Sequence, residues 1–315
     1  MNADFEMELA ADGSTYRRPQ TFLTLNRRLA PHLLWLASHG DALLLEEPWP
    51  ETLAREAAQR GVELILRDGA RRQHERIFTP WGWTPSVVRL GESLGARLPP
   101  VSLETVRRVN SKLWSHALER ELGVAMRGAC IAADFTELQE AVARACPRAD
   151  DKWVIKSPFG FAARERVLGR GARLEGPQAT WARRQFAKGV RLIFQPWLER
   201  VREYGVTFEI EANGEIEFKG ISDLQTNGAG TGTGYLLGRR IDSPERVAEL
   251  ERLARVVSAR LFKEGYTGPA GVDALEHAGG LHPLLEINAR YTMGFVALAI
   301  ERALKPQTPT LWELK

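Results

Sequence analysis

Apolar and polar residues alternate without a break through Leu285-Glu286-Ile287-Asn288-Ala289-Arg290, followed by Tyr291. Successive side chains of a β-strand point to opposite faces, so Glu286, Asn288 and Arg290 share one face while Leu285, Ile287 and Ala289 share the other. The apolar face demands a core. The polar face leaves two readings open from these residues alone: a surface that meets water, or one that coordinates a charged ligand. A hard cation such as Mg²⁺ takes carboxylate and amide oxygens and is usually held by one or two carboxylates together with substrate phosphates. Glu286 and Asn288 supply such a pair. Asp273, in the strand expected at 270–275, can add a second carboxylate across the hairpin that turns at Ala278-Gly279-Gly280. The fixed planar fork of Arg290 suits oxyanions. Pro283 is expected at or before the start of the strand at 284–290, because it cannot donate to a ladder.

The first hundred residues alternate strand-like and helix-like segments: a strand at 21–25, an apolar helix near 31–38, a strand at 42–45, a helix near 50–59 and a strand at 62–66. This alternation argues for βαβ units and a parallel sheet. Residues 78–100 are dense in Pro, Gly and Trp, and Pro99-Pro100 precede a helix starting near Ser102 with Glu104 in its first turn, which places a boundary near residue 100. One helix is read through Asn110-Ser111-Lys112-Leu113-Trp114 to Leu122, with Gly123 as its cap. Strands follow at 153–155 and 192–196. Two alternating segments at 205–211 and 215–221 flank Asn213-Gly214, the preferred pair for a two-residue hairpin turn. A helix is expected at 244–262.

Composition narrows the class of protein. Hydrophobic residues make up 44% and charged residues 26%, and 43 Lys and Arg face 40 Asp and Glu for a formal charge of +3. No long basic block stands out, and Arg71-Arg72 and Arg183-Arg184 read as solvated faces, so no nucleic-acid partner is expected. The run Leu33-Leu34-Trp35-Leu36-Ala37 is too short to span a membrane and lacks a secretory layout, which makes a cytoplasmic protein with no membrane partner the expectation. Cys130 and Cys146 lack CxxC spacing and read as inert core thiols. Trp81 and Trp83 fit a substrate wall or a core equally.

Nucleotide motifs of other kinds are absent. No GxxxxGK[ST] occurs, and His74-Glu75 lacks the second histidine of HExxH. In Asn227-Gly228-Ala229-Gly230-Thr231-Gly232-Thr233-Gly234-Tyr235 the glycines fall at every second position, not as GxGxxG, and the stretch runs on to Arg239-Arg240 without an opening helix. It reads as a loop whose backbone amides are available to a substrate.

The order of these segments resembles the ATP-grasp superfamily of carboxylate-amine ligases over about residues 109–298. The resemblance implies an α/β (α+β) fold with an N-terminal Rossmann-like pre-ATP-grasp domain at 1–104 and an ATP-grasp domain at 105–315. Within the latter it implies a lid at about 127–193 and a metal-binding lobe at about 194–315. It implies phosphate contacts for Lys112 and for Lys156, which ends Val154-Ile155-Lys156-Ser157-Pro158. The family's hinge strand is similar to Phe194-Gln195-Pro196-Trp197-Leu198-Glu199. Gln195 would accordingly lie at the nucleotide, backbone around Trp197 and Leu198 would read the adenine edge, and Glu203 would hold the ribose. The implied metal set is Asp273, Glu286 and Asn288, with Arg290 and Lys156 stabilising anions during catalysis. The implied cofactors are ATP and Mg²⁺, with Mn²⁺ as a substitute. The implied partners are a small carboxylate and an amine, acting on a monomer or homodimer. The flap Gly160-Phe161-Ala162-Ala163-Arg164-Glu165-Arg166 has fewer glycines than the family's, leaving Arg164 or Arg166 to offer charge in place of amides. The reaction implied is ADP-forming ligation through an acyl phosphate. Alternatives within the fold are a kinase, a thioester-forming ligase and a scaffold without chemistry.

Overall fold

The computed structural model describes residues 1–11, 16–70, 74–160, 165–239 and 241–314. Arg71-Arg72, flap residues 161–164 with Arg164, and Arg240 lie outside them. Helices α1 (Phe5–Ala10) and α2 (Gln20–Leu29) lead through a 3₁₀ turn at Ala30–Trp35 into β1 (Ala42–Leu45), α3 (Glu51–Gln59) and β2 (Glu63–Leu66), and α4 (Pro85–Ser93) follows. β1 and β2 pair in parallel, Ala42 opposite Glu63 and Leu45 opposite Leu66, so the expected βαβ unit is present as a two-stranded sheet. The strand expected at 21–25 is instead the first half of α2. Thr21, Leu23 and Leu25 alternate, but Phe22, Leu25 and Leu29 recur at helical spacing, and the helical period prevails over the short alternation.

The single helix expected through Asn110 is two, α5 (Leu103–Val109) and α6 (Lys112–Glu121). They divide where Ser111 turns its hydroxyl to accept from the Leu113 amide as the N-cap of α6. Gly123, at φ +70°, closes α6, with the Val124 amide donating to the Glu119 carbonyl.

Next come β3 (Cys130–Ala132), α7 (Phe135–Ala145), β4 (Lys152–Lys156), β5 (Arg166–Arg170), α8 (Gly176–Phe186) and β6 (Leu192–Pro196). The strands form a four-stranded antiparallel sheet in the order β3-β6-β4-β5. Leu138 and Val142 of α7 and Ala182 of α8 bury Ile155, Leu192 and Phe194 on it. Gly169 stands opposite Trp153, and a Cβ there would lie 2.0 Å from the indole, so the ring requires glycine. Cys146 is buried and Cys130 half-buried, and both are free thiols.

The rest of the chain forms β7 (Arg200–Ile210), β8 (Ile216–Thr226), β9 (Gly232–Leu237), α9 (Pro244–Lys263), β10 (Gly268–His277), β11 (Gly280–Asn288), α10 (Met293–Leu304) and β12 (Thr310–Glu313). A six-stranded antiparallel sheet runs β11-β10-β7-β8-β9-β12. Tyr204, Val206 and Phe208 of β7 meet Leu250, Leu253 and Leu261 of α9 in the largest core. The β7–β8 connection is not a two-residue turn. The Gly214 amide donates to the Glu211 carbonyl and Gly214 has φ +85°, so Ala212, Asn213 and Gly214 make a three-residue loop with glycine in the left-handed position. Pro283 lies inside β11 and not at its start. β11 is the sheet edge, and its register with β10 shifts between Asp273 and Leu275, so the missing N–H falls in a bulge. The same bulge reverses the alternation. Leu284 enters the core and Leu285 turns to the cavity described below, away from the face of Ile287 and Ala289 on which it was expected.

No described helix is long and apolar enough to cross a membrane. Exposed Arg183 and Arg184 fit the solvated face expected of them, Arg183 lying over the Phe135 ring.

Candidate active site

Strands β10 and β11 supply the floor of a cavity of about 440 Å³. Asp273 and Glu286 are direct partners across the ladder, and Gly271 is opposite Asn288. The Asn288 Nδ2 donates to Asp273 Oδ2 at 3.2 Å. Arg290 lies just past the strand. Its Nη2 donates to Asn288 Oδ1 at 3.1 Å and its Nη1 to the Tyr291 carbonyl at 2.9 Å.

Helix α6 holds this strand end in place. Just before it, Asn110 at the end of α5 accepts from the Ala289 N–H at 2.8 Å, while its Nδ2 donates to the Val106 carbonyl of α5 at 2.8 Å and to the Ala289 carbonyl at 3.3 Å. Ser115 Oγ accepts from the Ile287 amide at 3.2 Å. At the first position of α6, Lys112 extends Nζ to Glu286 Oε1 and to the Gly160 carbonyl, both at 2.6 Å. Lys156, at the end of β4, enters from the facing sheet and also lines the cavity.

Electrostatics differ sharply between these groups. Burial, reinforced by the charge of Lys112, lowers the Lys156 ammonium to about 8, even though Glu286 pulls the other way. Burial works against the ionised form of Glu286, but Lys112 and Lys156 outweigh it and hold that carboxylate below its ordinary value. Asp273 moves in the opposite direction. Burial pushes it up, and the charges of Glu286 and Glu203 add to the push. Two carboxylates and an amide oxygen thus stand together, the oxygen donors that a hard cation takes, with Lys112 on Glu286 and Arg290 on the Asn288 oxygen in the absence of a ligand. No group of three or more His, Cys, Asp or Glu side chains among the described residues forms a metal cage by itself.

The cavity gathers Lys112, Lys156, Glu203, Asp273, Glu286, Asn288 and Arg290. It does not gather Gln195, Trp197 and Leu198, which lie outside its lining. The Trp197 amide donates to the Lys152 carbonyl at 2.9 Å, and the Arg200 guanidinium covers the Trp197 ring at 4.0 Å. Gln195 is buried with its Oε1 unpartnered among the described residues. Arg200 also pairs with Glu203 at 2.7 Å, and Thr226 Oγ1 donates to the same carboxylate at 2.6 Å.

Two contributors escaped sequence reasoning. Glu6 of α1 accepts from Arg290 Nε at 2.8 Å and lines the cavity. Arg200 bridges Trp197 and Glu203; its place three residues before Glu203 is the only local signal it carries. The Gly-rich stretch also differs from expectation. From Gly232 onward it is β9, since glycine at every second position is the period of a strand, and Gly234 admits the Trp312 carbonyl of β12 where a Cβ would lie 2.5 Å away. In the remaining turn, the Ala229 and Thr231 amides donate to Asn227 Oδ1 and the Gly230 amide to the Asn227 carbonyl, so these amides are not free for a substrate.

Neither a family model nor a curated protein matches this chain. Solved structures do. N5-carboxyaminoimidazole ribonucleotide synthetase from Thermus thermophilus is 19% identical, with a TM-score of 0.54 over 84% of this chain and 70% of that one. Biotin carboxylase from Campylobacter jejuni, solved as a complex with β-γ-ATP, is 11% identical, with a TM-score of 0.60 over 88% of this chain and 65% of that one. D-cycloserine synthetase is 17% identical, with a TM-score of 0.52 over 90% of this chain and 96% of that one. The chain has the α/β architecture of the ATP-grasp fold that its segment order implied.

Proposed function

We propose that the chain is an ATP-dependent, ADP-forming ligase that activates a carboxylate as an acyl phosphate and joins it to an amine. The observation that carries this reading is the convergence of Lys112, Lys156, Asp273, Glu286, Asn288 and Arg290 from four separate segments on one cavity. In the reaction, a substrate carboxylate oxygen attacks the γ-phosphorus, the bond from that phosphorus to the bridging oxygen breaks, and ADP leaves. The amine then attacks the acyl carbon, phosphate departs and the amine proton is released. Lys112 and Lys156 bind phosphate oxygens, Arg290 steadies the developing anion, and Glu203 receives the ribose hydroxyls. Gln195 and the backbone around Trp197 and Leu198 take the base in this reading. Asp273, Glu286 and Asn288 would hold Mg²⁺, or Mn²⁺ in its place, whose charge neutralises the transferring group. The carboxylate and amine are small molecules, and the working state is a monomer or homodimer in the cytoplasm.

The neighbours support the nucleotide part of this reading, since 2-oxoglutarate carboxylase from Hydrogenobacter thermophilus was solved with MgADP and bicarbonate. The test is calorimetric titration with a non-hydrolysable ATP analogue, with and without Mg²⁺, on the wild-type protein and on Glu286→Ala. Binding is expected to need the metal and to weaken in the variant, and turnover to fall by on the order of a hundredfold or more. No binding under any condition rejects the ligase reading, and near-normal turnover by Glu286→Ala rejects the metal assignment.

A further inference from the structure

The cavity is lined by two chemically different sets of side chains. Besides the lysines, the carboxylates and Arg290, its wall includes Leu25, Arg28 and Leu29 of α2, Trp81, Tyr235 of β9, Met293 of α10 and Leu314. Trp81 and Tyr235 are held in place without a ligand. The Trp81 carbonyl accepts from the Tyr291 amide at 3.0 Å, and the Trp81 indole lies against the Tyr291 ring at 6.1 Å between centroids. Tyr235 stacks on Trp312 at 5.8 Å between centroids, and Trp81 and Tyr235 share a core cluster with Val296 and Ile300. Burial raises the Tyr235 phenol, and Asp273 adds to the shift while Arg290 opposes it, so the hydroxyl stays neutral. A preformed apolar concavity with a few polar groups at one end is the usual form of a small-molecule site.

We propose that the acid activated here carries an apolar aliphatic or aromatic body, seated on Trp81, Tyr235, Met293 and Leu314 against α2, with its carboxylate directed to Arg290. The inference rests on the ligase reading above for the fate of that carboxylate, but not for its binding. A small polar acid such as bicarbonate or acetate leaves half-buried Leu25, Leu29, Met293 and Leu314 of this wall in contact with water. An acid with a buried hydrocarbon body gains affinity with each methylene, of which one is worth roughly fourfold to tenfold or more in a well-shaped apolar pocket.

The experiment titrates the whole protein with acetate, hexanoate and 3-phenylpropionate by calorimetry, first without nucleotide and then with the ATP analogue saturating. Affinity is expected to rise at least tenfold from acetate to 3-phenylpropionate, and to do so in both conditions. Leu25→Glu and Leu29→Glu, at half-buried positions of α2 that leave the core intact, are each expected to abolish most of that rise. Equal affinity for the three acids overturns the proposal. So does a rise that disappears when the analogue is bound, which would put the hydrocarbon in the nucleotide end, or a rise that both variants retain. Because nucleotide binding is read in a separate titration, failure of the acid series leaves the ATP reading standing, and failure of the ATP reading leaves the acid series interpretable.

Discussion

Lys112 and Lys156 both act on Glu286, and the burial of Lys156 sets a pH dependence. With burial lowering it from 10.5 to about 8, Lys156 loses its proton in the free protein just above neutrality. The folded chain therefore binds fewer protons than the unfolded chain between about 8 and 10.5, so the cost of the buried ammonium is fully present below that window and is relieved as pH rises through it. Phosphate binding needs the charged form, so affinity for the ATP analogue should fall about tenfold from pH 7 to pH 9, one decade for each unit past the pKa. Arginine stays protonated throughout, so Lys156→Arg should flatten the profile whatever its absolute affinity. A wild-type profile level across this range would remove Lys156 from the phosphate site. At this scale the sequence was most legible where chemistry and strand period coincide: alternation put Glu286 and Asn288 on one face, the expected hairpin put Asp273 on the strand beside them, and the ladder pairs Asp273 with Glu286. Glu6 was not, because its contact with Arg290 spans 284 residues and nothing in a six-residue helix announces it.

Among the elements, α6 shows how a small local signal positions a distant group. Its N-cap Ser111 fixes the first turn, and Lys112 at the start of that turn also donates its backbone amide to the Pro158 carbonyl beyond β4. Removing the cap as Ser111→Ala should cost about 1 kcal/mol of stability in denaturant unfolding. It should also weaken analogue binding, since the Lys112 ammonium reaches both Glu286 and Gly160 from that turn. An unchanged midpoint would mean that the tertiary amide contact carries the helix start by itself. Element type could be read from sequence wherever one period ran long enough, as in α9 over 20 residues. It failed at α2, where a five-residue alternation overlapped a helical stripe, and at the start of α6, where an Asn-Ser pair that looked like helix interior is a boundary. The bulge at Pro283 was half legible: proline forbids a ladder bond, but only the edge position of β11 determines that the strand bends and continues rather than beginning there.

For the molecule as a whole, the N-terminal segment is part of the site and not an appendage to it. Phe5 and Leu9 of α1 lie in the same core as Val106 of α5, Tyr204 of β7 and Leu261 of α9, while Glu6 between them reaches the Arg290 guanidinium. The Asn2 side chain adds a second tie, donating to the Gly82 carbonyl at 2.9 Å and accepting from the Gly82 amide at 3.2 Å. The side chains of Glu6 and Arg290 are only 6% and 13% exposed, so removing either partner leaves a buried charge without its counter-ion. Glu6→Ala should therefore destabilise the fold by about 3 kcal/mol or more, and Arg290→Met by a comparable amount, whereas the double variant should lose much less than the sum. Measured as a double-mutant cycle in urea, a coupling near zero would show that each residue is held by its other neighbours. A large coupling would mean that Arg290 owes its position to a residue contributed from the opposite end of the chain, and that any truncation of α1 frees the Arg290 guanidinium from its place in the cavity without touching the strand that carries it.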